Sequence, residues 1–194
     1  DEFADTYREG IFLMKGRGGY LRGRGKEVCR RTACIMVGQV RSGRVRAIYF
    51  EKRFGRQADA VFPPVCLDLG EEGKVLIEGM IDRVDILSVP SSDRTYVRVI
   101  DYKSGSDRFD MDEVKSGFRL QLMLYLKGAM GGIGEAVPAG VFYFRISDAM
   151  ADISGVSAAG VEEAVHKKVS GSAKLDGVLL NEEDVIESMD SGFS

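Results

Sequence analysis

The sequence lacks the features of a membrane or secreted protein. No stretch approaches the ~20 consecutive apolar residues of a membrane-spanning helix, and the first residues do not resemble a signal peptide. Only three cysteines are present, an odd number without a close pair, which favours free thiols in a reducing compartment. We therefore expect a cytoplasmic protein with no membrane partner.

Internal repeats, low-complexity tracts and a nucleotide-binding glycine loop are also missing. Gly25 and Lys26 are followed by Glu27, and Tyr20 stands where the first glycine of a phosphate-binding loop belongs, so nucleotide binding at this position is excluded. With 44% apolar residues in 194, the chain is too hydrophobic to be disordered and is long enough to bury a core. Strand and helix signals alternate along it, which predicts an α/β fold.

The net charge of −3 conceals an uneven distribution. Residues 1–56 contain 14 Lys and Arg against 6 Asp and Glu, a net charge of +8, which leaves −11 for the remainder. Arginines clustered with glycines can contact phosphates. A solvated flexible arm, or a segment that packs on a missing neighbour, explains the pattern equally well. The candidate DNA-binding residues are Arg22, Arg24, Lys26, Arg30 and Arg31.

The most informative stretch is Val97–Lys103, which predicts a short strand closed by a Ser-Gly turn. Because strand side chains alternate, Asp101 and Lys103 share one face with apolar residues, and the other face is largely apolar too. This pattern is typical of a central, covered strand, where charged groups are costly unless they are paired or bound to a cation. The alternative is an Asp-Lys pair that faces water and has no function.

A second acidic position lies on the preceding β-rich stretch, Lys74–Leu87. Gly79 inside it indicates a bulge or a close approach by another group. Asp82 falls on the apolar side of the pleat, whereas Arg83 and Asp85 take the other side and are predicted to form an ordinary solvated pair. One aspartate here, and an aspartate with a lysine on the next strand, predict a shared site.

Two carboxylates in one site require a counter-charge. At about 4 Å they repel by roughly 4 kcal/mol when the effective dielectric is near 20. A shared proton or a divalent cation relieves this, and hard oxygen ligands favour Mg²⁺ or Mn²⁺ over zinc. Lys103 then supplies a cation beside the developing charge or the attacking water of phosphodiester hydrolysis. The pattern predicts a metal-dependent nuclease.

The third element is a helix predicted at Phe118–Met130, apolar almost all round and therefore buried. Gln121 and Tyr125 are four residues apart and share one face of it; the alternative is a core helix whose polar side chains bond to the backbone. The other predicted elements are helices at Asp1–Leu13, Lys26–Val40, Val161–Val169 and Glu182–Met189, and strands at Arg46–Phe54, Val65–Leu69 and Val137–Ile146. We divide the chain into a basic helical segment (1–45), a nuclease core (46–147) and an acidic cap (148–194), the cap belonging to the same domain as the core.

Three ordered motifs, Gly79–Asp85, Asp101–Gly105 and Gln121–Tyr125, resemble those of RecB-family nucleases in the PD-(D/E)xK superfamily. Flanking stretches extend the similarity to the carboxy-terminal nuclease domain of AddB-type components of bacterial helicase–nucleases: Glu51–Gly55, Val137–Phe144 and Lys174–Leu180. The resemblance implies a restriction-endonuclease-like core with a central mixed β-sheet flanked by helices. It also implies an exodeoxyribonuclease that acts on DNA with an AddA-type helicase partner in double-strand-break repair and recombination.

The resemblance also implies a role for each motif residue. Asp82 and Asp101 are implied metal ligands for Mg²⁺ or Mn²⁺, with the Tyr102 carbonyl as a third ligand. Lys103 is the implied catalytic lysine, alongside the two aspartates. Gln121 and Tyr125 are implied to line the site and to help position the lysine or the DNA.

Departures from the family pattern concern histidine and cysteine. The family carries an upstream Gly-x-x-x-His pattern whose histidine binds metal, but the single histidine here is His166, far downstream, which we interpret as a surface residue. Cys29, Cys34 and Cys66 do not match the spacing of the family's iron–sulfur ligands, so a cluster is not supported in this chain, and the resemblance leaves it open only for a full-length protein. Because the chain starts at Asp1 rather than Met, we expect a fragment that is weakly active or inactive alone. The alternative function is a catalytically silent DNA-binding or scaffold module of a helicase–nuclease complex.

Overall fold

A computed structural model describes residues 17–105, 108–146 and 175–191. These residues form four α-helices: α1 (Arg17–Arg41), α2 (Met111–Lys115), α3 (Gln121–Gly132) and α4 (Glu183–Met189). They form seven strands: β1 (Val45–Phe54), β2 (Val65–Asp68), β3 (Lys74–Ile77), β4 (Gly79–Leu87), β5 (Thr95–Lys103), β6 (Ala136–Arg145) and β7 (Leu175–Leu179). A 3₁₀ turn at Gly70–Glu72 connects β2 and β3.

Five strands form one mixed sheet in the order β1-β4-β5-β6-β7. Neighbours pair antiparallel except β5 and β6, which run parallel. A parallel pair needs a crossover connection, and here the segment that contains α2 and α3 supplies it, with α3 packed on β5 and β6. The predicted fold, a mixed central sheet flanked by helices, is confirmed.

The core lies between the middle of this sheet and α3. Four valines from β4, β5 and β6 pack with Leu122 and Ala129 of the helix; they are Val84, Val97, Val99 and Val141. Asp101 and Lys103 continue the Val97 and Val99 face of β5. The hydrophobic face that drives α3 onto the sheet therefore also directs the strand-end charges toward that helix.

Gly79 is a point of close approach, as its position in the strand predicted. The buried Phe54 ring fills the space beside it: a Cβ at Gly79 would lie 2.7 Å from the ring, and one at Gly128 of α3 would lie 3.1 Å from it. Phe54 also meets Tyr125 edge to face, with ring centroids 5.9 Å apart. One aromatic side chain thus joins β1, β4 and α3.

The stretch Lys74–Leu87 forms two strands rather than the single strand expected. β3 pairs only with β2 in a separate hairpin, and β4 enters the main sheet. Glu78 separates them because the loop after β1 uses its carboxylate: Arg56 donates to it from both its backbone and its side chain, and Gln57 donates from its amide.

The prediction that Arg83 and Asp85 form a solvated pair is wrong. Both are buried, at 2% and 0% exposed, and Arg98 on β5 joins them at 2%. The Arg83 guanidinium donates twice to Asp85, and Arg98 Nε donates to the same carboxylate over 2.9 Å. Burial is tolerated because the charges pair with one another on a central strand.

Other element boundaries differ where local signals are weak. Helix α1 begins at Arg17 rather than Lys26, so the glycine- and arginine-rich residues lie within a helix. Neither α2, a single turn capped by the Asp110 carboxylate, nor β7 was predicted. Strand β7 has Gly177 at its centre, where a Cβ would meet the Val141 carbonyl of β6. The predicted helices at Asp1–Leu13 and Val161–Val169, with His166, lie outside the described residues.

The sheet and the helices packed on it belong to one compact unit, Gly38–Arg145 with Lys174–Ser194, whereas α1 up to Val37 belongs to another. The boundaries at 45/46 and 147/148 remain predictions. In the described part of the chain, no helix is both long and apolar enough to cross a membrane.

Candidate active site

The β4–β5 ladder ends where the predicted acidic residues stand. The last pair is Arg83 with Ile100, so the next step in register places Asp82 opposite Asp101. The Tyr102 backbone N–H there donates to Asp82 Oδ2 over 2.9 Å. Asp101 is 2% exposed. The predicted aspartates of the two strands are therefore brought together at one end of the sheet.

Lys103 reaches both the sheet and the helix. Its Nζ lies 2.7 Å from Asp101 Oδ2, donates to Gln121 Oε1 over 3.1 Å, and stands 5.3 Å from the centroid of the Tyr143 ring. The side chain is 25% exposed, so the ammonium is partly accessible to solvent. An ion pair, a hydrogen bond and a cation–π contact therefore hold the Lys103 ammonium at the end of the strand.

Gln121 and Tyr125 form the helical wall of the site. Gln121 is the first residue of α3. Its Nε2 donates to the Tyr125 hydroxyl over 2.6 Å, and its Oε1 accepts a hydrogen bond from Lys103 Nζ. The chain enters this helix through two residues in the left-handed region, Gly117 at φ 83° and Arg119 at φ 50°. The i,i+4 spacing predicted one shared face, and the structure places both side chains on the face toward Lys103.

The surroundings raise the pKa of both Lys103 and Tyr125. Burial lowers the pKa of Lys103, but the hydrogen bond and negative charge of Asp101, with smaller effects of Tyr143 and Tyr125, outweigh it and raise that pKa. Burial raises the pKa of Tyr125, and the charges of Asp101 and Asp82 add to the rise. The arrangement presents an ammonium ion and a neutral hydroxyl beside two carboxylates.

Three residues of this region were not predicted from the sequence. Tyr143 of β6 stands beside Asp101 in the parallel register and lies under Lys103. Phe109 packs against Tyr143 at 6.5 Å between centroids, and Asp176 of β7 accepts a hydrogen bond from the Phe109 N–H over 3.0 Å. The parallel pairing of β5 with β6 and the position of β7 depend on contacts between distant parts of the sequence, which no local pattern predicts.

The donor atoms at the strand end suit a hard divalent cation. Among the described residues, no three or more His, Cys, Asp and Glu side chains gather at one point. A metal ion here would rely on Asp82, Asp101, the Tyr102 carbonyl and water. Mg²⁺ and Mn²⁺ are held in this manner, through one or two carboxylates with several waters retained, whereas zinc favours nitrogen and sulfur ligands. The residues present therefore fit the predicted metal.

The predicted DNA-binding residues lie along α1. Arg30 and Arg31 both donate to Glu27 of the same helix and lower the pKa of its carboxyl to about 2. Arg24 donates to the Tyr20 hydroxyl over 3.3 Å, and Lys26 is exposed. Their role in DNA binding remains a prediction.

Comparison with known proteins agrees with this geometry. The family model of the PD-(D/E)XK nuclease superfamily matches residues 2–193. The chain belongs to the PD-(D/E)XK nuclease superfamily. The family inferred from the three motifs is therefore confirmed.

Curated relatives share about a third of their aligned residues with the chain. A protein of Alkaliphilus metalliredigens is 34% identical over 195 residues, 98% of this chain and 16% of its own length. One of Alkaliphilus oremlandii is 33% identical over the same shares. One of Bacillus cereus is 31% identical over 202 residues, 100% of this chain and 17% of its own. Each is named as the B component of an ATP-dependent helicase/deoxyribonuclease, and the chain spans only a small part of their length.

Proposed function

We propose that the chain is a divalent-metal-dependent deoxyribonuclease domain that hydrolyses DNA phosphodiester bonds, with its active site at the ends of β4 and β5. The observation that carries the proposal is the convergence of Asp82, Asp101 and Lys103 at one strand end. Two carboxylates that could hold a divalent cation, with an ammonium next to them, supply charges that favour phosphodiester hydrolysis.

Each residue has a separate task in this mechanism. Asp82, Asp101 and the Tyr102 carbonyl would hold Mg²⁺ or Mn²⁺. When bound, the ion would supply Lewis-acid activation of the phosphate and of the attacking water. Lys103, kept protonated by Asp101, would stabilise the negative charge that develops on the phosphate. Gln121 accepts from the lysine and donates to Tyr125, and so it would fix the position of the ammonium.

The wider context is proposed from the relatives. Their name couples a helicase with a deoxyribonuclease, and we infer that this domain acts in such a complex in the cytoplasm, on a strand supplied by an AddA-type helicase partner. Exonucleolytic processing of double-strand ends in repair and recombination is the activity that this arrangement would serve. No iron–sulfur ligation is proposed for this chain, because its three cysteines, all exposed, do not match the expected spacing.

The test combines Mn²⁺ calorimetry with cleavage of labelled single-stranded DNA. We expect Asp101→Ala to abolish both metal binding and cleavage. Lys103→Ala should retain metal binding but lower the cleavage rate by on the order of 10²- to 10³-fold, because it removes one preorganised charge from the transition state.

The matched control is Lys74→Ala, which removes an exposed lysine of β3 that pairs with Asp68 at the surface. It should behave as wild type in both assays. Unchanged cleavage by Asp101→Ala or Lys103→Ala would contradict the proposal, as would the absence of Mn²⁺ binding by the folded wild-type chain. Absence of Mn²⁺ binding would favour the alternative function, a catalytically silent DNA-binding or scaffold module.

A further inference from the structure

The parallel pairing of β5 with β6 places a second cationic residue beside Lys103. Arg145 is the last residue of β6 and the register partner of Lys103. The Lys103 ammonium stands over the ring of Tyr143, which shows that these strand ends direct their side chains to one common face. Arg145 follows Tyr143 by two residues and takes the same face, because side chains alternate along a strand. At the backbone, Arg145 and Lys103 are therefore one strand spacing apart, about 4.8 Å.

Arg145 differs from the charged groups around it in having no polar partner. The Lys103 ammonium pairs with Asp101. Asp176 stands opposite Tyr143 on β7, diagonally across from Arg145, and its carboxylate accepts the Phe109 N–H. The Arg145 side chain makes no hydrogen bond or ion pair with any residue that the structure describes. It is also half-buried. A guanidinium in this position, next to an ammonium, is stabilised only when an anion approaches it.

The charges of the candidate active site already balance one phosphate without Arg145. Asp82 and Asp101 carry two negative charges, which the divalent ion of the proposed function balances. Lys103 then supplies one positive charge for the single negative charge of the scissile phosphodiester. The Arg145 charge is additional. Since every phosphate of a DNA strand carries one negative charge, the next phosphate along the strand is the anion that matches it, and a guanidinium binds phosphate oxygens in a bidentate manner.

We propose that Arg145 binds the phosphate next to the scissile phosphate, with the DNA strand crossing from the end of β5 to the end of β6. The inference rests on the proposed function, because it takes the scissile phosphate to lie at Asp82, Asp101 and Lys103. No charge develops on the neighbouring phosphate during hydrolysis, so Arg145 binds it equally in the ground state and the transition state. Arg145 therefore determines the affinity for DNA, whereas Lys103 acts in the chemical step.

The decisive variant is Arg145→Gln, which removes the charge and keeps much of the side chain. We expect it to raise KM for labelled single-stranded DNA by on the order of 10-fold and to leave kcat within about twofold of wild type. Arg145→Lys keeps the charge and should recover most of this loss. The matched control is Arg94→Gln. Arg94 is exposed and precedes β5, whose 9 residues place it about 27–30 Å from Lys103, so both constants should match wild type.

A neutral linkage in the substrate tests the assignment from the side of the DNA. A methylphosphonate next to the cleaved bond removes the charge of one neighbouring phosphate. On one side of the cleaved bond, this replacement should raise KM of the wild type about as much as Arg145→Gln does. The same replacement should have no further effect on Arg145→Gln, because both changes remove one contact. On the other side of the bond, it should affect the two proteins equally.

DNA binding provides a readout that needs neither metal nor cleavage. Fluorescence anisotropy of a labelled single strand, measured without divalent ions at several salt concentrations, gives the slope of log affinity against log salt. Arg145→Gln should reduce this slope by about 0.7, the value for one lost phosphate contact on a single strand. Arg94→Gln should leave it unaltered.

The outcomes separate this inference from the proposed function. Unchanged cleavage by Asp101→Ala refutes the proposed function. If Asp101→Ala is inactive while Arg145→Gln matches Arg94→Gln in both KM and salt slope, only the role of Arg145 is refuted. A lower kcat of Arg145→Gln, equal on charged and neutral-linkage substrates, would also refute it, because Arg145 would then act on the scissile phosphate. Should Arg145→Gln fail to fold, an unchanged wild-type KM for both neutral-linkage substrates refutes the contact.

Discussion

At the scale of single residues, the contacts around Phe54 connect core packing to the candidate chemistry. Its ring packs between two glycines and against Tyr125, and the Tyr125 hydroxyl accepts a hydrogen bond from Gln121. Gln121 in turn accepts a hydrogen bond from Lys103. A displacement of this ring should therefore change the position of Lys103, although Phe54 itself is 1% exposed and lies in the core.

We expect Gly79→Ala to lower the free energy of unfolding by about 1–3 kcal/mol, because the added methyl overlaps the Phe54 ring and Gly128 closes the opposite side. Gly134→Ala is the control: its added methyl meets no atom within 4 Å, so the change should stay within about 0.5 kcal/mol. Urea denaturation measures both. If Gly79→Ala unfolds at the same urea concentration as wild type, the Phe54 ring moves aside without cost. Phe54 would then not hold Tyr125 in place.

Residue patterns carried most of the candidate site. Alternation along β5 placed Asp101 and Lys103 on one face, and helical spacing placed Gln121 with Tyr125, because both are local periodicities. The burial of Arg83 and Asp85 was missed since their partner, Arg98, comes from another strand. From sequence alone, a charged pair is expected to face water. It can be buried only when a third charged group from another strand also pairs with it.

At the scale of elements, the parallel pairing of β5 with β6 decides which side chains surround the lysine. It brings Tyr143 beside Asp101, and β7 then adds Asp176 next to Tyr143. Element types were largely predictable, since the apolar runs and turn residues are strong there. Strand order and register were not, because they depend on contacts between segments far apart in sequence, and the single-turn helix α2 is too short to show a period.

Helix α1 is the element to test for DNA binding. If Lys26 contacts a phosphate, Lys26→Ala should reduce the slope of log affinity against log salt by about 0.7–0.9, the value for one lost contact. Binding of labelled DNA at several salt concentrations measures this slope. Lys74→Ala serves as the control and should leave it unaltered. An identical slope for Lys26→Ala and wild type would remove Lys26 from the interface.

At the scale of the whole molecule, metal binding should appear as stability. A ligand that binds only the folded chain adds about 2.7 kcal/mol at a hundred times its dissociation constant, which corresponds to roughly 5–10 °C in Tm for a chain of this size. We expect Mn²⁺ to raise the Tm of the wild type in this way and to leave that of Asp82→Asn unchanged. A silent scaffold would instead show no metal effect, and Asp82→Asn would be as stable as wild type or more so.

The cluster of Arg83, Asp85 and Arg98 also restricts how the protein can change over generations. Losing Asp85 leaves two buried guanidinium groups without their shared carboxylate, at a cost of about 3–5 kcal/mol, and a natural domain has only about 5–15 kcal/mol of stability in total. Replacements of Asp85 alone will usually be eliminated before a second change can compensate. Asp85 should therefore be replaced only in lineages in which Arg83 and Arg98 have also changed.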